Sequence, residues 1–381
     1  MLISSIATLA VVAVLVWALF FPRMPRPHKI YVACLGIATL LALLVDMFYP
    51  SRAGGWRPIF LYTFVALAAS IGIVGLMEYG LLRLMGMWRL GALVRVTYYE
   101  ILLQPFTLVV LAVTTLVIAV CTLIPYYTFS EDNKMFRDVA TQFVLLAVLA
   151  IMVYAAAKVV DEEIENRTML TLMSKPISRW QVILGKYLGI LAVTLVVLAV
   201  LGTITTTASF LHWLDVKALD INSAYNPKEY ADLMSEVHKN GWALLPLFVL
   251  QFFQIATLAA IAVAVSTRCA LALNVTIIAV IYVVANLAGF LPGMELAKPW
   301  GPMAQFGAHF LPALANFDIS QRLIYGDYIL GSWESAKYLG QTLPTYAQIW
   351  GYTAWSGVYA LLYIGASLAL ALVLFRTREL T

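Results

Sequence analysis

Apolar residues occupy the chain in long runs, and polar residues gather in the stretches between them. A helix that crosses a bilayer needs roughly 20 mostly apolar residues. Nine runs meet this requirement, at residues 2–21, 30–49, 59–82, 105–125, 139–159, 182–210, 243–266, 270–291 and 351–375. The pattern therefore predicts an all-α polytopic membrane protein.

The composition supports the same class of protein. Apolar residues make up 62% of the chain and charged residues 12%, whereas a typical soluble domain has about 45–50% and about 25%. The basic residues are scattered near the ends of apolar runs, so the sequence predicts no nucleic-acid surface. Cys34, Cys121 and Cys269 lie in or beside apolar runs, which favours small buried side chains over a disulfide framework or a metal site.

The distribution of lysine and arginine predicts how the chain is oriented. Placing residues 22–29, 83–104, 158–186, 267–269 and 376–381 in the cytoplasm assigns more than half of the 24 basic residues to these short loops, as the positive-inside rule requires. No basic residue precedes the first apolar run, which is unlike a signal peptide. We therefore expect a multi-pass protein of the inner membrane with its N-terminus outside and its C-terminus inside.

The segment at residues 84–104 divides the predicted spans into two groups. It is too charged to cross the bilayer, because Arg89, Arg95 and Glu100 interrupt its apolar residues, and its pattern is typical of a helix lying on the inner leaflet. An ordinary cytoplasmic connector is the alternative. We therefore predict a three-helix membrane unit at residues 1–83 and a six-helix domain at residues 84–381.

Two long polar connections of the six-helix domain fall on the outer side. They lie at residues 211–242 and 292–350. The second contains apolar pieces at residues 306–314 and 319–329 that are too short to cross a membrane. We expect these pieces to be re-entrant or to lie along the outer interface.

Charged and polar residues are most concentrated in the cytoplasmic loop at residues 160–181. The preceding helix is expected to continue into the cytoplasm as far as Arg167, because glutamate and arginine are good helix formers. After it, Met169, Leu172 and Met173 fall at i, i+3 and i+4 and share one helical face. In water such a face favours a covering partner protein; packing against the inner ends of this chain's own helices is the alternative.

The second half of this loop carries the signals of a break followed by a new helix. Pro176 disfavours helical geometry for the residue before it. Ser178 and Gln181 have the spacing of a capping box, and Ile177 with Val182 has that of a hydrophobic staple. A short helix, a break and a capped helix together predict a rigid plug that would fit a groove in another protein.

The loop also resembles a known family. The pattern Glu-Glu-x-Glu-x-x-Thr-x-x-x-Leu-x-Ser-x-Pro-x-Ser-Arg at residues 162–179, followed by Gly-Lys-Tyr-Leu-Gly at residues 185–189, is similar to the first cytoplasmic loop of ABC-2 type transporter permeases. It resembles most the branch that includes the permease of the nitrous-oxide-reductase maturation exporter. The similarity in layout covers residues 97–381. It departs from the family at Arg167, where glycine is frequent, and in the three helices before residue 84.

The resemblance implies an activity, a set of partners and a docking site. The chain would be a permease subunit that pairs with a second permease copy in membrane lipid and exports a substrate. A separate ABC ATPase subunit would carry ATP and Mg²⁺. The elbow helix would include Arg89, Arg95 and Glu100, and the loop break and helix cap would use Pro176, Ile177, Ser178 and Gln181. The coupling helix and its flanks would dock the ATPase through Glu165, Arg167, Thr168, Met169, Leu170, Thr171, Leu172 and Met173.

The motifs of common enzymes are absent from the sequence. A phosphate-binding loop needs G-x-x-x-x-G-K-[ST], but Gly185-Lys186 is followed by Tyr187, and Trp180 stands where the first glycine should be. No two of the four histidines have the paired spacing of a metal site, which disfavours a zinc protease, and no G-x-S-x-G elbow is present. We expect no catalytic residue, metal or cofactor in this chain.

The interiors of the core spans predict hydrogen bonding but no charge. Gln142, Gln251, Gln254 and Asn274 are expected to bond between helices. An absence of buried charge would argue against a proton- or ion-coupled carrier.

Two further readings of the function remain open. The chain could be a membrane scaffold or a force-transmitting subunit that moves no solute. It could also be a membrane enzyme with its active residues in the outer loop 292–350. The polar residues there have no recognisable spacing: His309, Asp318, Arg322, Asp327 and Glu334.

Overall fold

The computed structural model describes six stretches of the chain, and they form helices and the turns between them. The described residues are 89–122, 132–165, 178–216, 244–287, 311–320 and 346–376, with the single positions Gly72, Val74, Gly75, Met77, Leu323 and Ile324. The predicted spans at 2–21 and 30–49, nearly all of the span at 59–82 and of the unit at 1–83, and most of both outer loops lie outside them.

Seven α-helices and one short 3₁₀ helix make up the described stretches, which contain no β-strand. In chain order the α-helices are α1 (Arg89–Leu102), α2 (Pro105–Cys121), α3 (Asp132–Glu165), α4 (Arg179–Val216), α5 (Leu244–Ser266), α6 (Leu271–Leu287) and α7 (Tyr346–Arg376). Each of the six apolar runs predicted after residue 104 is helical over most or all of its described residues. The protein is an all-α polytopic membrane protein, as predicted.

Four of these helices are long and apolar enough to cross a membrane. They are α3, α4, α5 and α7, and the bent pair α1 and α2 could supply a fifth span. Helices α2 and α6 have 17 residues each, at the short end of the range of about 17–25 for a spanning helix. The full count of spans and the orientation of the termini stay predictions.

Two helix boundaries differ from the predicted outer loops. Helix α4 continues to Val216, so residues 211–216 are helical instead of belonging to the loop at 211–242. Helix α7 begins at Tyr346, which removes five residues from the loop at 292–350. The reason is that helix ends follow glycine and proline rather than hydropathy: neither residue occurs between Gly202 and Val216, whereas Pro344 lies just before α7.

Helices α3, α4 and α5 pack against one another and form the centre of the described part of the protein. Their contacts are mostly alanine, valine, isoleucine and leucine. The Gln251 side chain of α5 donates to the Thr141 carbonyl oxygen of α3 at 3.3 Å, and the Asn274 side chain of α6 donates to the Ala262 carbonyl oxygen of α5 at 3.2 Å. The predicted bonds between helices are therefore confirmed for these two residues.

Helix α7 lies along α5 and leaves its opposite face uncovered. A Cβ atom on Gly357 would come within 3.0 Å of the Phe253 ring, so the two helices touch closely there. On the other side, large apolar residues such as Trp355, Leu361 and Leu362 are exposed. In a membrane protein such a face suits contact with lipid or with another membrane protein.

The 3₁₀ helix (Leu314–Phe317) fixes part of the outer loop 292–350 to the helices. Leu314 and Phe317 are fully buried, at 0% exposure, and the segment packs on α5 and α6. The Ala313 N–H donates to the Tyr359 hydroxyl oxygen at 3.0 Å, and the Tyr352 hydroxyl donates to the Asn316 carbonyl oxygen at 2.6 Å. The described part of this loop is therefore anchored to α7 as well as to the centre.

We predict that Phe317→Ala weakens this anchor. Removing a fully buried aromatic ring leaves a cavity, which costs about 3 kcal/mol in protein cores. The expected result is a lower midpoint of thermal unfolding for the full chain purified in detergent. Asn316→Ala is the matched control, because its side chain is exposed and its carbonyl bond to Tyr352 is kept. Equal midpoints for the two variants would contradict the anchoring role of Phe317.

Candidate functional site

The loop singled out by the sequence joins two long helices at one end of the bundle. Helix α3 has 34 residues, or about 51 Å at 1.5 Å per residue, which exceeds the roughly 30 Å of a hydrocarbon core. It is helical through Glu165, so the predicted continuation beyond the apolar run is confirmed to that residue. Helix α4 starts again at Arg179.

The residues between these two helices are mostly not described. Those outside the described residues are Arg167, Thr168, Met169, Leu170, Thr171, Leu172, Met173, Pro176 and Ile177. Of Glu165, only the backbone is described. The coupling helix and its role in docking therefore stay predictions, and the described geometry concerns what supports the loop.

The first turn of α4 is closed by hydrogen bonds at Ser178. The Ser178 N–H donates to the Gln181 side-chain oxygen at 3.1 Å, which is one of the two bonds of a capping box. The Gln181 and Val182 N–H groups donate to the Ser178 carbonyl oxygen at 3.0 and 3.3 Å. Val182 is buried and Trp180 is half exposed. The loop therefore ends at a residue held to the helix that follows.

Helix α1 touches α4 at two glycines of the Gly-Lys-Tyr-Leu-Gly segment. A Cβ atom on Gly185 would lie 2.9 Å from the Leu93 Cβ, and one on Gly189 would lie 2.6 Å from the Thr97 Cβ. Real Cβ atoms do not approach so closely, so only glycine permits this distance. The resemblance to the permease family assigned no physical role to these glycines. The structure shows that they allow α1 to pack closely against α4.

The buried and exposed faces of α1 are distinct. Val94, Thr97, Tyr98 and Ile101 are buried. Arg95 is exposed, and its guanidinium carbon lies 5.7 Å from the centre of the Tyr99 ring, a cation–π distance. Glu100 is half-buried, and Arg89 is the first residue of the helix. This amphipathic pattern suits the predicted elbow, whose place on the inner leaflet stays a prediction.

A bend at Pro105 separates α1 from α2. Gln104 has extended backbone geometry, with φ −66° and ψ 134°, as expected for a residue that precedes proline. The two helices meet at 60°, and the Thr107 hydroxyl donates across the bend to the Ile101 carbonyl oxygen at 2.9 Å. The predicted elbow at residues 84–104 is therefore a separate helix over Arg89–Leu102.

Two buried basic residues correct the expectation of an uncharged interior. Lys186 in α4 and Arg137 in α3 are each only 2% exposed. Lys186 lies inside the predicted span at 182–210, although it was also counted with the loop at 158–186, and it is two turns inside α4, which begins at Arg179. Arg137 lies within the apolar stretch of α3, just before the predicted span at 139–159. Since charged residues in spanning helices usually face the protein interior, these two residues remove the expected contrast with an ion-coupled carrier.

Tyr187, between these glycines, joins α4 to the central helix α5. Its hydroxyl donates to the Ala256 carbonyl oxygen at 3.2 Å. The segment at residues 185–189 therefore faces α1 with its glycines and α5 with its tyrosine. The spacing of two glycines at i and i+4 on an apolar helix is a known signal of close helix packing, and it would have found this contact from the sequence.

The described residues hold no cluster of metal-binding side chains. They contain no group of three or more histidine, cysteine, aspartate or glutamate residues placed to hold a metal ion. Of the polar residues weighed for an outer-loop enzyme, only Asp318 is described: it is exposed, and its carboxylate accepts the Ser320 N–H at 2.9 Å. His309, Arg322, Asp327 and Glu334 lie outside the described residues.

The fold defines a helical membrane protein, and a comparison with protein families identifies its kind. A family model described as an ABC-2 family transporter protein matches residues 127–380, about two thirds of the chain. The chain belongs to this family of ABC transporter permeases. The match covers α3 to α7 and begins after α2. No curated protein matches the chain.

We predict that Gly189→Ala forces α1 away from α4. The added Cβ would meet Thr97 at 2.6 Å, and such overpacking typically costs about 1–3 kcal/mol. The expected result is a lower unfolding midpoint and faster hydrogen exchange of the α1 amides.

The matched control is Gly202→Ala on the same helix, where the added Cβ would meet the Phe248 ring at an ordinary 3.4 Å. The pair Gly189→Ala with Thr97→Gly exchanges the two Cβ atoms and should restore part of the loss. If the single variant and the control behave alike, the close approach does not limit the packing of α1.

Proposed function

We propose that the chain is the membrane-spanning permease subunit of an ABC-2 type transporter, which couples ATP hydrolysis by a separate ATPase subunit to substrate export. Family membership supports the permease class. The observation that carries the coupling is the support of the loop. Helix α3 reaches Glu165 as a continuous helix, and α4 begins after the capping residue Ser178 and packs against α1 at Gly185 and Gly189. A loop held between such ends would pass a displacement on to the helices.

The proposed mechanism starts at the predicted coupling helix. ATP-driven closure of two ATPase subunits would move residues 168–173, and α4 would move with them because its first turn is capped at Ser178. Helix α4 contacts α1, α3 and α5, so its displacement would reach the centre of the subunit. Coupling requires that the loop bind differently to the two states of the ATPase.

The proposal also includes finer assignments. A second permease copy, identical or different, would complete the translocation path. The similarity of residues 162–179 and 185–189 to the permease of the nitrous-oxide-reductase maturation exporter supports a place in that branch. Residues 1–83 would form an additional three-helix unit of the same subunit, in the inner membrane. ATP and Mg²⁺ would be bound by the ATPase, because this chain has no phosphate-binding motif.

A second candidate function is force transmission to an outer partner without solute transport. The anchoring of residues 311–320 favours it, because a movement of α7 would be passed to this loop through Tyr352 and Tyr359. Substrate-dependent stimulation of ATP hydrolysis in reconstituted vesicles would support transport. ATP hydrolysis that requires an outer protein partner instead would support force transmission.

We predict that Leu172→Asp with Met173→Asp prevents docking of the ATPase. Both residues lie on the predicted apolar face, and a buried carboxylate without a partner is strongly unfavourable. The measurements are co-purification with a candidate ABC ATPase produced together with the chain and stimulation of its ATP hydrolysis. Both are expected to fall.

Ala315→Asp with Asn316→Asp is the matched control, because it adds the same two charges at exposed residues outside the predicted docking loop. It should keep most of the complex. Unchanged complex formation and unchanged ATP hydrolysis in the Leu172 and Met173 variant would refute the docking assignment.

A further inference from the structure

We propose that α1 and the first turns of α4 move as one rigid body, here called the α1–α4 lever (residues 89–102 and 178–190). The inference rests on the proposed function, because the lever acts only if the loop before Ser178 is displaced by an ATPase. It adds that the elbow helix has to follow that loop throughout the cycle. Gly185, Gly189, Leu93 and Thr97 are then positioning residues.

The first argument is that the two helices touch at two points with matching spacing. Gly185 faces Leu93 and Gly189 faces Thr97, so each contact is four residues, about one turn, from the other on both helices. The helices therefore run in the same direction. Two close contacts about 6 Å apart along the axes restrain the angle between the helices as well as their separation.

The second argument is that the register has no alternative of similar quality. Sliding α1 by one turn toward the C-terminal end of α4 would place Thr97 against Val193, four residues after Gly189. Sliding it one turn the other way would place Leu93 against Gln181, four residues before Gly185. Val193 and Gln181 both carry side chains at positions where the close contact requires glycine. Since close-packed surfaces do not deform continuously, α1 should not slide along α4 during transport.

The third argument is that both ends of the lever are structurally fixed. At the loop end, Ser178 is bonded to Gln181 at 3.1 Å. At the other end, α1 stops at the 60° bend before Pro105, and the Thr107 hydroxyl bonds to the Ile101 carbonyl oxygen at 2.9 Å. A displacement of the loop would therefore be delivered to the start of α2.

The next contact of α2 leads back to α3. The Phe106 ring of α2 lies 4.4 Å from the Tyr154 ring of α3, measured between ring centres. The lever thus contacts the centre of the subunit by two routes, directly through α4 and indirectly through α2. By contrast, a Cβ atom added to Gly202 of α4 would lie 3.4 Å from the Phe248 ring of α5, an ordinary contact distance, so these two helices are less tightly interlocked there than α1 and α4.

The test is a reversible covalent lock between the two helices. Leu93→Cys with Gly185→Cys, in a chain whose native cysteines are replaced by alanine, puts two thiols at positions with a Cβ separation of 2.9 Å. A disulfide prefers about 3.5–4.5 Å, so a local shift of about 1 Å suffices. ATP hydrolysis by the full complex in vesicles is measured oxidised and then reduced on the same sample.

A rigid lever predicts that the disulfide forms and that the oxidised complex hydrolyses ATP faster than the ATPase alone, at a rate within about twofold of the reduced complex. A larger loss that reductant reverses would overturn the proposal, because it would show that α1 must move along α4. Loss of stimulation in the oxidised complex would also overturn it. Failure of the disulfide to form under oxidant would overturn it as well.

A second variant tests the lever without a cross-link. Gly189→Ala should lower stimulated ATP hydrolysis per assembled complex, and Gly189→Ala with Thr97→Gly should recover it. A loss confined to the yield of complex, with normal hydrolysis per complex, would show a structural role only and overturn the proposal. Failure of the proposed function is recognised separately, because the unaltered chain would then not stimulate the ATPase at all.

Discussion

The close approach of α1 to α4 at Gly185 and Gly189 is the contact on which the end of the described structure nearest the predicted coupling loop depends. Helix α1 has only 14 residues, so it has few turns over which to pack. Here Leu93 and Thr97 reach the bare backbone of α4, and the buried face of α1 closes around that point. The capped first turn of α4 fixes the point at which the preceding loop joins this helix. The bend at Pro105 fixes the direction in which α2 continues from α1.

Much of the fold follows from the sequence because few backbone structures are stable in a bilayer. Backbone groups in hydrocarbon have to be paired within helices, so each long apolar run after residue 104 became a helix. The cap at Ser178 and the break before Pro105 are local signals, and both hydrogen-bonding patterns are present. Such features need no knowledge of the tertiary contacts.

Other features could not be predicted because they depend on neighbours distant in the sequence. The burial of Lys186 and Arg137 reflects where α4 and α3 begin and what packs around them. From the sequence, Lys186 is also counted with the basic residues of the loop at 158–186, and the predicted span at 139–159 begins after Arg137. The anchoring of Leu314 and Phe317 depends on hydroxyl groups of Tyr352 and Tyr359 about 40 residues later in the chain. The partners of the two glycines, Leu93 and Thr97, also lie on a separate helix.

The family assignment and the local geometry together support coupling through the loop between α3 and α4. The most direct test is the rate of ATP hydrolysis by a candidate ABC ATPase that co-purifies with the chain, measured alone and after reconstitution with the full chain in lipid vesicles. We expect the chain to change this rate several-fold, since differential binding to two states has to alter their balance. An identical rate with and without the chain, under conditions in which both proteins are folded, would contradict it.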